Sequence, residues 1–476
     1  MEIRCLIIAS LLLFVSCGKT KKRFLETGIE EPIAAVSRDS LQYSSIIYNA
    51  AKAESAAKFS NVIQKGVRIA DSANPPIKLN LSENELTKKQ IELGNYYSKV
   101  NHFRLKHPLS SSGGRYLGDI SMHFHFEDGS SWLADGMSSE VYLSENQIVV
   151  GDLYTGFHVY NSRGSFLYTL AQLDNLPIYD KNKNTAHMTS DETNWIEVFS
   201  TLENIALICT KEDSTYHTHY YDLSKQKGLA NIKSRGSNIK LINNQSALFY
   251  NPNTNTKEGT PYLQSINLET LKPLNAFYNS NPTGKGKENP ENHLFTYYDN
   301  ILTTKQAYND TIYRIKNVDV LTPAYIINRK INLSNKNISY QDSKNDQLSI
   351  QYLLESHDFL FIISTDNYDT PNNRHNKLIK YGYYYYDKKE KKLYADILDV
   401  YPEKYTLGCN IKGAIPVLAK QTKNYKKKLY SYLTKNQIDA IIKSQYFTQL
   451  SDSQQNQVNE VFNSLDDHDL FLQILE

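Results

Sequence analysis

Short strand-like cores recur along the middle of this chain, and that recurrence restricts the available folds more than any other feature. They sit at "IVVGD" around Val150, "IALICT" around Leu207, "SALFY" around Leu248, "NILTT" around Leu302 and "FLFIIS" around Phe361, 41 to 59 residues apart. Each is followed by another strand-like stretch and a turn, as in "HTHYYDLSKQKG" and "IKYGYYYYDKKEKKLY". The stretch from Ser139 to Leu170 displays one unit in full. Val141/Leu143, Phe157/Val159 and Phe166/Tyr168 alternate with polar or small neighbours, the period-2 pattern of strands. Asn161-Ser162-Arg163-Gly164 reads as a bulged hairpin in which Gly164 takes the positive-φ position. Meander units at this spacing are the pattern of propeller blades. Adding the segment from Tyr97 to Leu133, with "HFRL" and "SMHFHF", gives six units, or seven if Thr185 to Asn292 holds another. The expected fold is all-β, a six-bladed β-propeller over residues 96–420.

Composition agrees with a strand-built chain. There are 36 Tyr and 17 Phe against 4 Met and 2 Trp, and aromatic rings suit a pleated, half-buried surface. A length of 476 residues exceeds what one simple core organises, which favours repeats or several domains. The formal charge of +2 is too balanced for a nucleic-acid groove, which needs a concentrated basic face.

Residues 1–17 read as a secretory signal. Arg4 gives a positive start, Leu6 to Val15 an apolar core too short to span a bilayer, and Ser16 a small residue before Cys17. Phe14-Val15-Ser16-Cys17 resembles a bacterial lipobox, with Phe14 where Leu is usual, so Cys17 is the expected lipid attachment site. Cys209 and Cys409 then remain in the mature chain besides it, either as thiols or as one long-range disulfide.

Residues 18–95 are expected to form a tether with a short helix near Leu41 to Ile63, ended by Gly66 and followed by the breaker Pro75-Pro76, and a first strand. Residues 421–476 change character and read as a tail of short helices. Thr434 and Ser451 stand as N-caps, and Ile438/Ile441/Ile442 and Val458/Val461/Phe462 follow helical spacing. A brace on one propeller face is the plain reading of this tail; a partner-binding helix is the sharper one.

The lipobox, "NHFRLKHP", "IVVGDLYTGFHVYNSRGSFLYTL" and "AYNDTIYRIKNVDVLTPAYII" together resemble the six-bladed β-propeller lipoproteins of Bacteroidota. The resemblance spans roughly Tyr96 to Leu418 and is weak between Thr185 and Asn292; the insert "NPTGKGKENPEN" and the tail depart from it. That family brings no catalytic residues to carry over. It implies an outer-membrane lipoprotein. The basic "GKTKKR" after Cys17, where an acidic surface-export signal would stand, favours the periplasmic side.

Three constellations invite chemistry. His123/His125 and His217/His219 are His-x-His pairs, and each shares one strand face. A metal site needs a third ligand, which the sequence does not display, so solvent-facing histidines are the expectation. Asp152, Asp299, Asp310 and Asp366 lie near strand ends, where some propeller hydrolases and lactonases hold calcium, although turns alone account for them. Tyr383 to Tyr386 should alternate faces; inter-blade packing is the common use of such rings and glycan stacking the alternative. No nucleophile elbow, phosphate loop or zincin motif is present. The expectation is therefore a lipid-anchored binding or scaffolding module without cofactor, acting on an envelope protein or glycan. A metal-dependent hydrolase or lyase of lactonase type, with calcium or zinc, is the alternative. The two differ at the channel mouth, which would hold carboxylates, amides or histidines in an enzyme and an aromatic or mixed polar surface in a binder.

Overall fold

The computed structural model describes the strands and most turns between residues 68 and 398, and all of residues 405–476. Residues 1–67, 109–120, 251–262, 278–293, 329–347 and 366–380, with shorter loops, lie outside the described residues, and with them Cys17, the helix expected near Leu41 to Ile63, and Asp366.

Five blades are four-stranded antiparallel meanders in a β-propeller arrangement. The first comprises Glu140–Leu143, Gln147–Asp152, Gly156–Asn161 and Phe166–Ala171. The second runs Trp195–Leu202, Ile205–Glu212, Thr215–Asp222 and Lys227–Ser234. The third holds Asn238–Asn243, Ser246–Tyr250, Leu263–Asn267 and Pro273–Phe277. The fourth is Leu294–Tyr298, Ile301–Lys305, Thr311–Asn317 and Val320–Asn328, and the fifth Ser349–Glu355, Phe359–Thr365, Tyr381–Asp387 and Lys392–Leu398. Gly164 closes the last turn of the first blade at φ 83°, as its sequence demands.

A further sheet pairs the strand that precedes the blades with three strands from the C-terminal segment. Its order is Val100–Lys106, Asp469–Leu475, Lys428–Thr434 and Thr422–Tyr425. Val100 pairs with Leu475 and Lys106 with Asp469 in an unbroken antiparallel register, and Arg104 binds the carboxylates of Asp469 and Asp466. This closing sheet corrects two expectations. The segment opening with "HFRL" is not a blade of its own, because a lone strand completes its hydrogen bonds only by pairing, here with the C-terminal strands. Residues 421–476 are likewise not purely helical, since three of the four strands of this sheet come from them.

The helices expected there do form between two of those strands: α1 (Lys435–Ile442), α2 (Gln445–Thr448) and α3 (Asp452–Ser464). Thr434 and Ser451 are their N-caps in reciprocal capping boxes with Gln437 and Gln454. Ile438, Ile441, Val458 and Val461 pack with Leu433 and Phe471 in one buried cluster, which makes the helices a brace on the closing sheet.

"SMHFHF" belongs to a separate inserted sheet, ordered Ile178–Asp180, Thr185–Met188, Ser121–His125 and Ser131–Ala134. The described part of the expected tether is a strap. Arg68–Ile69 and Ile77–Asn80 add in parallel to Val320–Asn328 of the fourth blade, then Lys88 bridges Ala395 and Glu92 bridges Gly408.

Tyrosine hydroxyls stitch neighbouring sheets together. Tyr168 donates to the Leu223 carbonyl at 3.1 Å, Tyr297 to Leu241 at 2.8 Å, Tyr352 to Thr422 at 2.8 Å and Tyr430 to Val141 at 3.0 Å. Each ring fills an inter-sheet gap while its hydroxyl satisfies a carbonyl, the combination that Phe cannot provide. Tyr383 to Tyr386 are all buried, two in the cluster shared with the closing sheet and two in that shared with the fourth blade. No half of the run faces out, because both sides of the fifth blade are covered; packing, not glycan stacking, is their use.

Candidate functional site

First strands meet between the first and second, the second and third, and the fourth and fifth blades, and the inner strand of the closing sheet meets those of the fourth and fifth, so side chains of these strands converge. Where they meet is a cavity of about 250 Å³. Tyr142 enters from the first blade, Lys240 from the third, Phe295 and Tyr297 from the fourth, and Tyr352 from the fifth. The closing sheet and the short 3-10 turn before it add Lys420, Lys423, Asn424, Tyr425, Tyr430 and Tyr432.

The lining combines three lysines with six tyrosines and includes no Asp, Glu or His. An excess of one sign of charge in a low-dielectric recess concentrates counter-ions there, so the cavity favours an anion. The rings around it offer flat apolar faces. Lys423 Nζ lies 4.1 Å from the Tyr142 ring centroid and 5.8 Å from that of Tyr432, a half-buried ammonium framed by two rings. Neither the carbonyl nor the NH₂ of the Asn424 side chain has a hydrogen-bond partner, and both atoms are buried. A buried amide with both ends unmatched is uncommon in folded chains and leaves a donor and an acceptor open at the cavity. Tyr297 and Tyr352 are fixed by their hydroxyl bonds to Leu241 and Thr422, so the cavity wall is preorganised.

A charged cluster lies nearby, between the fourth and fifth blades. The fully buried Glu355 accepts from Arg314 at 2.6 Å, Tyr325 at 2.7 Å and Lys388 at 2.9 Å. Tyr298 lies under both cations, 4.4 Å from Arg314 and 4.1 Å from Lys388. Burial lowers Lys388 and raises Tyr325, whose hydroxyl also faces the Glu355 charge. All three contacts converge on Glu355 Oε1, while Glu355 Oε2 and Arg314 Nε are buried without a partner; the charges offset one another, and this cluster reads as an inter-blade clamp.

The residues singled out from sequence do not gather at the cavity. Asp152 ends the second strand of the first blade. Asp299 occupies a tight turn at φ 49°, and the Asp310 carbonyl accepts the Ile327 N–H. His123/His125 lie in the inserted sheet and His217/His219 in the second blade. Cys409 is a free, buried thiol whose pKa burial pushes up to about 12. Among the residues whose side chains are described, no three or more His, Cys, Asp or Glu come together in a metal-holding group. No described helix is long and apolar enough to cross a membrane.

The cavity residues were missed because they are scattered over four blades and the closing sheet, far apart in the chain. The faint signal was "KQTKNYKKK", where lysines interleave with aromatic and amide residues on what proves to be an inner strand.

A sequence profile described as "Domain of unknown function (DUF4933)" matches residues 63–444. No curated protein matches the chain. Among solved structures, a Bacteroides fragilis protein aligns at 12% identity over 84% of this chain and 99% of that chain, with a TM-score of 0.48. A DUF4221 family member from Bacteroides vulgatus aligns at 10% identity over 80% and 98%, with a TM-score of 0.37.

Proposed function

The chain belongs to the family described as "Domain of unknown function (DUF4933)", and from that premise we propose that it is an envelope binding module taking an acidic carbohydrate into its central cavity. The observation that carries this reading is the lining itself: three lysines, a wall of tyrosines and the unmatched amide of Asn424, with no carboxylate or imidazole. Lysines recognise a carboxylate or sulfate, tyrosine faces stack on sugar rings, and an amide bonds hydroxyls. A volume of about 250 Å³ suits one or two sugar units of a longer chain. A lactonase-like hydrolase would instead place carboxylates around a calcium ion there.

In this reading the closing sheet acts as a sixth blade. Support comes from its two flanks, which share buried clusters with the first blade on one side and the fifth on the other. The address follows from the N-terminal sequence: lipid on Cys17, attachment to the outer membrane, and a periplasmic orientation.

The test is a thermal-shift screen of the purified protein against matched acidic and neutral oligosaccharides. Uronate-containing or sulfated sugars should raise the melting temperature, with the shift shrinking as salt rises. Equal shifts with neutral sugars, or none with any acidic one, would contradict the reading.

A further inference from the structure

The inner strand of the closing sheet, Thr422–Tyr425, sends its side chains to two sides of the central cavity. Lys423 is registered with Tyr430 and Asn424 with Leu429. Paired residues share a face of the sheet, and neighbours along a strand take opposite faces. Tyr430 belongs to the buried cluster shared with the first blade and Leu429 to the one shared with the fifth. Lys423 accordingly reaches the Tyr142 ring of the first blade, while Asn424 stands on the side of the fifth.

The same strand is the open edge of its sheet, with Lys428–Thr434 on its one paired side. The Thr422 carbonyl points off that edge, where the Tyr352 hydroxyl of the fifth blade donates to it at 2.8 Å. Two residues on, the main chain of Asn424 points the same way, off the edge and towards the cavity that this residue lines. Both polar atoms of its side chain are buried and bond nothing in the protein. An unbonded buried amide costs stability, so the fold alone would be better served by an apolar side chain at this position.

Resting on the acidic-carbohydrate reading of the cavity, we propose that the preferred sugar is a hexuronate with free hydroxyls on carbons 2 and 3, its carboxylate held by Lys423 and its vicinal hydroxyls by the Asn424 amide. A primary amide sets an acceptor and a donor side by side. Two neighbouring hydroxyls match it, one donating to Oδ1 and the other accepting from Nδ2–H. A hexuronate ring carries its carboxylate on carbon 5 and these hydroxyls on the far side of the ring. That arrangement reproduces the separation of ammonium from amide across the inner strand.

Asn424 is then the residue that sets specificity, while the lysines set the preference for negative charge. Because its amide makes no bond within the protein, Asn424→Ala should leave the melting temperature at or above that of wild type. A loss of sugar discrimination in that variant is therefore separable from a loss of folding.

The experiment is isothermal titration of the full-length protein with a 1,4-linked galacturonate trisaccharide, with the same trisaccharide acetylated at O2 and O3, and with a sulfated trisaccharide that has no free vicinal hydroxyls. Acetylation keeps the carboxylates and removes the hydroxyl protons that Oδ1 needs. Wild type should bind the free galacturonate about tenfold more tightly than the acetylated form, the effect of two neutral hydrogen bonds. Asn424→Ala should erase that preference by weakening the free form alone. Equal wild-type affinity for the two galacturonates, or a preference that survives in Asn424→Ala, would overturn the proposal. Binding of the sulfated probe alone would overturn the hexuronate assignment and leave the acidic-carbohydrate reading standing, whereas binding of none of the three would overturn both.

Discussion

Lys423 Nζ sits 4.1 Å from the centroid of the Tyr142 ring, joining the innermost strand of the closing sheet to that of the first blade. The ammonium is therefore held at the cavity wall by a ring and half shielded from water, where its charge acts through a lower dielectric than at the surface. Lys423→Gln should weaken an acidic ligand about tenfold, whereas Lys423→Arg should keep most of the affinity; equilibrium titration checks both.

Glu355 is the fully buried anion between two cations, Arg314 and Lys388. Glu355→Gln leaves both cations without their counter-charge, and removal of one partner of such a group costs about 3 to 5 kcal/mol. Chemical denaturation should read that loss, with ligand binding by the remaining folded protein unaltered.

Acid should destabilise the fold through the first blade. His158 is buried there, with Nδ1 3.1 Å from Thr169 Oγ1 and its ring edge-on to His107 at 5.0 Å. Burial lowers its pKa to about 3, against about 6.5 in an unfolded chain. Between those values the unfolded chain binds a proton that the fold refuses, so stability is complete above about pH 6.5 and falls as pH drops through the window. From about pH 6.5 to about pH 5 the loss is about 2 kcal/mol for this residue. His107 is lowered by the same burial and steepens the slope. Denaturant midpoints across this range should show the fall, and His158→Gln should flatten it.

Cys17→Ser removes the proposed lipid acceptor. The variant should move from the membrane fraction to the soluble fraction of the source cell; membrane association unchanged from wild type would sink the anchor.

What was legible in the chain was local. The Gly164 turn, the capping residues Thr434 and Ser451, and the strand cores are set by neighbours a few residues away, and all stand where the sequence places them. The closing sheet was not legible, because Val100–Lys106 finds its partner in Asp469–Leu475 at the far end of the chain. Its inner strand was hidden for the same reason, and with it Lys423 and Asn424. Tyr383 to Tyr386 show the intermediate case: the alternation was readable, but both faces are buried because a neighbour covers each side.

The most direct test of the central claim is isothermal titration of one acidic oligosaccharide from the screen into wild-type protein and into a Lys240→Gln/Lys420→Gln/Lys423→Gln variant, at low and high salt. The account predicts saturable wild-type binding that weakens with salt and is lost in the variant, while the variant's melting temperature stays near that of wild type. Equal affinity in the two proteins would place the ligand elsewhere and contradict a binding role for the cavity.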